Sequence, residues 1–343
     1  MPRGGEGIPI NSGLVTWARE RAGVTLEEAE RKFRHIAAWE AGTALPTYPQ
    51  LESLADEFKL PIAAFFFPAP PRTPPIKESF RTLPDTEFER IPKAVRFLLQ
   101  KAKALQLNLA ELTGGVNPAP RQIVRDLRFP DDVTPDAMAA TVRDYLGIPL
   151  EAQFAWSDDD TALKAWRGVL QNVGIFVFKD AFKAEQYFGF SLYDAVFPLI
   201  YVNNSATKTR QIFTLFHELA HILFHTSGID TQGDGYIPEL PDRAKRIEVL
   251  CNRFAAQFLV PDDAFARAMT GLARDVAAAE RLATLFHVSR ETIYRKFLDR
   301  RWVTQTEYLR SVDVWNAQRQ GGGSGVDVGE QDRVAERLDD LEI

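Results

Sequence analysis

The spacing of apolar positions changes along the chain, and each spacing predicts a different kind of element. Apolar residues three and four positions apart predict several short helices over residues 14–60 and a long amphipathic helix from Pro92 to Leu112. The same spacing predicts four later helices: Pro135 to Leu146, Asp160 to Asn172, Thr207 to His225 and Pro241 to Leu259. Aromatic and β-branched residues crowded between turn signals predict strands at 174–180, 187–193 and 198–203. The pattern therefore predicts an α+β fold.

Proline and glycine divide this pattern into segments. Six prolines between Pro68 and Pro84 predict a linker or an extended segment instead of a helix. The end of the chain is rich in glycine and then acidic, so we expect a flexible tail. The predicted segments are a helical module at 1–67, a Pro-rich linker at 68–90, a connecting helical segment at 91–133, a core at 134–302 and a C-terminal segment at 303–343.

Length and composition narrow the class of protein. A chain of 343 residues favours two domains with a small third piece, and 45% hydrophobic and 26% charged residues exclude wholesale disorder. Since no apolar run approaches the ~20 residues of a membrane helix and residues 1–13 lack a signal-peptide core, we expect a cytoplasmic protein without membrane contact. The single cysteine excludes an internal disulfide and a Cys-rich zinc site. A net charge of −6 argues against broad, non-specific nucleic-acid binding.

The sequence His217-Glu218-Leu219-Ala220-His221 has the H-E-x-x-H spacing of a metal site. On a helix, residues four apart lie on one face about 6 Å from each other, so two imidazoles can hold one ion. Glu218 would lie beside that ion, where it can take a proton from water as general base and later deliver it to a leaving amine as general acid. Two histidines and one carboxylate suit one Zn²⁺ per chain, with Mn²⁺ as the alternative.

A catalytic zinc ion needs a third protein ligand, and His225 and Glu248 are the candidates. His225 follows His217 by eight residues, about 12 Å along a continuous helix, which one ion cannot span. Glu248 lies beside the apolar stripe that would pack the second long helix against the first. Asn252, one turn further on, is placed to hydrogen-bond the Glu248 carboxylate. The geometry favours Glu248, although a glutamate on an amphipathic helix can also be a surface residue.

At these residues the sequence resembles the ImmA/IrrE family of zinc metallopeptidases. The resemblance covers PLIYVNNSATKTRQIFTLFHELAHILFH and, downstream, EVLCNRFAAQFLVP, which is similar to the family's E-x-x-A-N-x-F-A-x-x-L-x-P signature with Cys251 in place of the usual Ala. It implies a zincin-like core with a small sheet, and it puts the third zinc ligand on Glu248. It also implies that Asn203 and Asn204 fall at the edge strand that holds an extended peptide substrate.

Residues 14–67 resemble a Cro/XRE-type helix-turn-helix module joined to the peptidase. The stretch between Thr25 and Trp39 is about four residues shorter than the usual pattern, and the loss falls at the turn before the recognition helix. Residues 14–60 carry six basic and eight acidic side chains, a net charge of −2. Because phosphate neutralisation dominates DNA affinity, we expect weak DNA binding at most, and a protein-interaction or scaffold module is the alternative.

A second stretch similar to a helix-turn-helix lies at 279–301, within helices expected at 275–301. Val288 and Ser289 occupy its turn and Ile293 faces the core, while several bases follow on the later helix: Arg290, Arg295, Lys296, Arg300 and Arg301. We expect these helices to support the catalytic core. Their basic face is the other place where DNA could bind.

The resemblance implies hydrolysis of a peptide bond in a specific protein partner, a transcriptional repressor of helix-turn-helix type, in a stress-response, mobile-element or defence circuit. For the oxyanion donor, Tyr236, Arg210 and Tyr201 remain open. The alternative function is a DNA-binding transcription regulator or antitoxin-like protein whose metallopeptidase core senses or scaffolds without cutting. The sequence predicts no oligomeric state.

Overall fold

A computed structural model describes residues 6–71, 85–231 and 240–321. These residues form two compact units, the first within Met1–Ile76 and Phe88–Lys101, the second within Lys77–Glu87 and Ala102–Ile343. Parts of the predicted linker (72–84) and the predicted tail (322–343) lie outside the described residues. The predicted segment boundaries stay predictions.

The first unit is helical. Its helices are α1 (Ser12–Arg21), α2 (Leu26–Lys32), α3 (Ile36–Glu40), α4 (Tyr48–Phe58) and a 3-10 helix (Ile62–Phe66). Two further helices, α5 (Asp85–Arg90) and α6 (Lys93–Leu112), each contribute residues to both units. A capping box of Thr25 and Glu28 starts α2, and only three residues separate α2 from α3. Ile36 and Trp39 fill the core with Leu51 and Phe58. Because α3 has only five residues and two of them are buried, few of its side chains face solvent.

The second unit contains all the strands that the structure describes. Its further helices are α7 (Ile123–Asp126), α8 (Pro135–Leu146), α9 (Leu150–Phe154), α10 (Asp159–Asn172), α11 (Lys208–Leu223), α12 (Asp242–Leu259), α13 (Asp262–Ala268), α14 (Val276–Phe286), α15 (Arg290–Asp299) and α16 (Gln305–Gly321). Its strands are β1 (Phe176–Asp180), β2 (Tyr187–Leu192), β3 (Leu199–Asn203) and β4 (Ile229–Thr231). This mixture of helices and one small sheet confirms the α+β class.

The four strands form one sheet in the order β1-β3-β2-β4. Strand β1 pairs with β3 in parallel, with Phe178 opposite Tyr201, and β2 pairs with β3 and β4 in antiparallel fashion. The predicted strands are confirmed within two residues at either end, whereas the sequence pattern missed the three-residue β4. Since β1 and β4 are the edges, β3 is a central strand.

Close packing fixes the sheet and two helices around α11. A side chain at Gly189 in β2 would lie 2.4 Å from the Thr214 methyl of α11, so glycine allows the strand to approach the helix. On its other side, Phe216 of α11 meets Trp166 of α10 edge to face at 4.9 Å and stacks on Phe258 of α12 at 4.1 Å. Helix α11 is therefore buried along most of its length, and its polar side chains are held inside the unit.

Helices α14 and α15 form the second helix-turn-helix-like pair, and α15 is largely buried. Ile293 faces the core, as predicted; Val288 in the turn is also buried, and Ser289 caps α15. Four of the five bases on the predicted basic face pair with acidic neighbours, whereas Arg301 is exposed. Lys296 and Arg300 bind Asp262, Arg295 binds Asp299, and Arg290 binds Glu280.

Helix α16 packs on this pair with Tyr308, Val312 and Trp315 buried. Across the described ranges, no helix combines the length and apolar character that crossing a membrane requires.

Candidate metal centre

Helix α11 carries His217 and His221 on its buried side. The two rings lie edge to face with centroids 4.9 Å apart, and their Nε2 atoms are 3.2 Å from each other. Both side chains are at most 2% exposed. The i, i+4 spacing therefore places both imidazoles at one point, as the sequence predicts.

Helix α12 brings Glu248 to the same point. Its carboxylate oxygens lie 3.3 Å from His221 Nε2 and 3.7 Å from His217 Nε2. Among the residues that the structure describes, these three form a group that could hold a metal ion, and their ligand atoms lie within 4.8 Å of one another. Ligands at about 2 Å from a tetrahedral zinc ion lie roughly 3.3 Å apart, so the three atoms fit such an ion.

Hydrogen bonds on the far side of each ring orient the two histidines. The Asn252 side-chain oxygen accepts a hydrogen bond from His217 Nδ1 at 2.9 Å. Thr226 donates its hydroxyl proton to the His221 carbonyl at 3.0 Å, so its oxygen can accept from His221 Nδ1 at 3.3 Å. With both Nδ1 atoms donating, both Nε2 atoms direct a lone pair at the shared point, which suits a cation. The predicted hydrogen bond between Asn252 and Glu248 is wrong, because Asn252 hydrogen-bonds His217 instead.

Glu218 lies beside this group and is fully buried. Its Oε2 accepts a hydrogen bond of 2.6 Å from the Ser191 hydroxyl on β2, and within the described ranges its Oε1 has no hydrogen-bond partner. Burial raises the pKa of Glu218 to about 8, and the nearby Asp230 and Glu248 act in the same direction. One oxygen of this carboxyl group is thus held, and the other is left for a reacting group.

The electrostatic setting keeps the His217 imidazole neutral. Burial lowers its pKa to about 3, and the adjacent His221 lowers it further. Burial alone would raise the pKa of Glu248, but His221 and His217 outweigh that effect and lower it. A neutral imidazole and an ionised carboxylate are the forms that bind a metal.

Gly228 packs directly on the metal group. A side chain there would meet the His221 ring at 2.3 to 2.8 Å. The Gly228 N–H donates to Ser191 Oγ at 3.0 Å, and the Ser191 N–H donates to the Gly228 carbonyl at 3.0 Å. The chain that returns after α11 therefore contacts His221 and Ser191 together.

His225 lies outside the group. Helix α11 ends at Leu223, two residues earlier than predicted, and His225 adopts a left-handed conformation with φ of 57°. Its ring stacks on Tyr193 at 4.9 Å.

The oxyanion candidates have other contacts. Arg210 forms a buried ion pair with Asp230 of β4 at 2.7 Å, and Thr214 also donates to Asp230 at 2.7 Å. Tyr201 donates its hydroxyl to Asp180 at 2.7 Å. Tyr236 lies outside the described residues. Arg210 and Tyr201 thus contact carboxylates of the sheet strands, and the choice of an oxyanion donor stays a prediction.

The prediction that Asn203 and Asn204 fall at an edge strand is wrong. Asn203 ends the central strand β3, not an edge, and its buried side chain donates to the Tyr187 carbonyl at 2.8 Å. It also accepts from the Phe182 and Ser205 backbones. Asn203 is a structural brace, and Asn204 is exposed beyond the strand.

Sequence reasoning missed Ser191, Thr226, Gly228 and Asp230. Each lies in β2, in β4 or in the segment that joins α11 to β4, and the register of a three-residue strand leaves no periodic signal. A buried serine in an aromatic strand, YFGFSLY, is the one sequence feature that could have drawn attention.

Residues 170–298 match the model of a family described as Peptidase_M78, IrrE N-terminal-like domain. The match runs from the end of α10 through α15 and includes the whole sheet, the three residues of the metal group, and Glu218. It supports the resemblance to the ImmA/IrrE family and a metallopeptidase kind of function. The curated proteins include no match to the chain.

Proposed function

We propose that the second unit is a zinc-dependent endopeptidase. The observation that carries the proposal is the convergence of two imidazole nitrogens and a carboxylate beside a buried glutamate with one uncommitted oxygen. His217, His221 and Glu248 would hold the ion, with Mn²⁺ as the alternative to Zn²⁺. Bound zinc would supply Lewis acidity that polarises a peptide carbonyl and eases the deprotonation of water.

Glu218 is the proton carrier in this proposal. Its Oε1 takes the proton of the attacking water and then passes it to the leaving amine. Ser191 holds Oε2, so the proton is exchanged at Oε1.

The substrate we propose is a transcriptional repressor of helix-turn-helix type, cut within a stress-response, mobile-element or defence circuit. The peptidase family match supports a protein substrate, and the resemblance to the ImmA/IrrE family is the reason for choosing a repressor. The N-terminal helices α1–α4, with their short α2–α3 pair, would form a shortened helix-turn-helix module.

The test uses the purified full chain, zinc, and a helix-turn-helix repressor from the same genome, taken from a neighbouring gene where one is encoded there. We expect a defined cut in the repressor that a chelator abolishes and added zinc restores. Glu218→Gln should stop cleavage while zinc content stays near one ion per chain, because Glu218 is not a ligand. Glu52→Gln, an exposed change on α4, should cleave like wild type.

Cleavage by Glu218→Gln at the wild-type rate would show that the mechanism is wrong. A zinc-loaded wild type that leaves the repressor intact would favour the alternative, in which the core senses or scaffolds without cutting.

A further inference from the structure

Ser191 is a polar residue in an otherwise apolar part of β2. Phe190 and Leu192 flank it, and all three side chains are buried, with Ser191 fully inaccessible to solvent. A buried hydroxyl costs free energy unless it is hydrogen-bonded. The Ser191 hydroxyl therefore needs hydrogen-bond partners, which the apolar side chains beside it in the strand do not provide.

Its two hydrogen bonds fix the direction of its single proton. The Gly228 N–H can only donate, so Ser191 Oγ accepts that bond at 3.0 Å. Within the described part of the chain, the hydroxyl proton then has Glu218 Oε2 as its acceptor at 2.6 Å. A backbone group thus determines how the serine hydroxyl meets the carboxyl group.

We propose that Ser191 is a positioning residue that holds Glu218 by Oε2 and so presents Oε1 for proton transfer. This inference rests on the proposed function for its catalytic meaning, while the hydrogen bond itself can be tested without a substrate. Ser227 is a matched control, because its buried hydroxyl accepts from the Tyr193 backbone at 3.0 Å one residue before Gly228.

The first measurement is carbon-13 NMR of the full chain labelled at the glutamate side-chain carboxyl carbon, at one fixed pH. The Glu218 signal is assigned by its loss in Glu218→Gln. Ser191→Ala should move this signal, and Ser191→Thr, which keeps a hydroxyl, should return it toward the wild-type position. Ser227→Ala should leave it in place. An unmoved signal in Ser191→Ala, or an equal movement in Ser227→Ala, overturns the proposal.

The second measurement is cleavage of the helix-turn-helix repressor by zinc-loaded protein. Ser191→Ala should lower kcat about tenfold or more, with KM and zinc content unchanged, because a hydrogen bond that holds the proton carrier is lost. An unchanged kcat overturns the positioning role. If wild type does not cleave the repressor, the proposed function fails, and the NMR shift still decides whether Ser191 holds Glu218.

Discussion

Two buried polar clusters lie in the second unit, and they differ in how their charges are balanced. Around α15, Lys296 pairs with Asp262, Arg295 pairs with Asp299, and Glu291 accepts from the Tyr308 hydroxyl. Around α11, by contrast, Glu218 and Glu248 have no lysine or arginine partner in the described ranges, and two imidazole nitrogens face each other at 3.2 Å.

The contrast separates a cluster whose charges are matched from one that suits a cation. Each buried base of the α15 cluster is paired with an acidic side chain at the protein surface, so its charge is balanced within the protein. In the α11 cluster, by contrast, the Glu248 carboxylate and the two imidazole nitrogens converge on one point, which is a donor set that suits a metal cation. The number of polar groups in a cluster therefore matters less than their balance.

The largest expected effect comes from removing the third ligand. Glu248→Ala should lower zinc affinity by orders of magnitude, because a charged oxygen leaves a three-ligand site. Arg246→Ala, an exposed change on the same helix, should not. Competition with a chromophoric chelator measures both. If His225→Ala empties the site while Glu248→Ala keeps its zinc, the ligand set is wrong.

A smaller loss should follow from Asn252→Leu, which removes the acceptor for His217 Nδ1 at similar volume. Zinc affinity should fall about 10–100-fold, since such contacts orient the ligand and fix its tautomer. Asn252→Asp keeps an acceptor oxygen and should retain most of the affinity. Equal affinities for wild type and Asn252→Leu in the same competition assay would show that His217 needs no orientation by Asn252.

The balanced cluster should respond in stability instead of metal binding. Lys296→Met removes one partner of Asp262, which stays exposed and paired with Arg300, so the free energy of unfolding should fall by no more than about 1 kcal/mol, with zinc content unchanged. Lys164→Met breaks an exposed ion pair with Asp160 on α10 and should leave the free energy of unfolding unchanged. Urea unfolding measures the free energy of unfolding of both variants and of the wild type. A loss of zinc in Lys296→Met would mean that the two clusters are not independent.

The smallest expected effect concerns DNA. Because Arg295 is buried and paired with Asp299, Arg295→Gln should leave duplex DNA affinity of the full chain unchanged. Wild type itself should bind weakly and without sequence preference, at about micromolar Kd or weaker at physiological salt. Nanomolar, sequence-selective binding in a gel-shift assay would instead support a DNA-reading regulator.

Contacts between residues on one helix could be predicted from the sequence more directly than contacts between residues distant along the chain. His217 and His221 share a helix, so their spacing alone places them together. Glu248 is distant in sequence, but the apolar stripe of α12 fixes the side of that helix that meets α11.

Contacts that depend on finer geometry were predicted wrongly or missed. Asn252 meets His217 instead of Glu248, because a small rotation of α12 about its axis selects the partner. The order of the strands put Asn203 at the centre of the sheet, which no spacing along the chain reveals. Ser191 meets Glu218 through strand register and the path of the chain after α11.

Gly228 has a consequence for how this protein tolerates change. Its φ is not in the left-handed region, so alanine there meets no intrinsic backbone penalty. The obstacle is the His221 ring, which the added methyl group would overlap at 2.3 Å. In a saturation mutagenesis library, position 228 should therefore be depleted as strongly as the histidines, although it contributes no functional group. The metal centre therefore constrains this position by volume alone, because only a hydrogen atom fits between the backbone and the His221 ring.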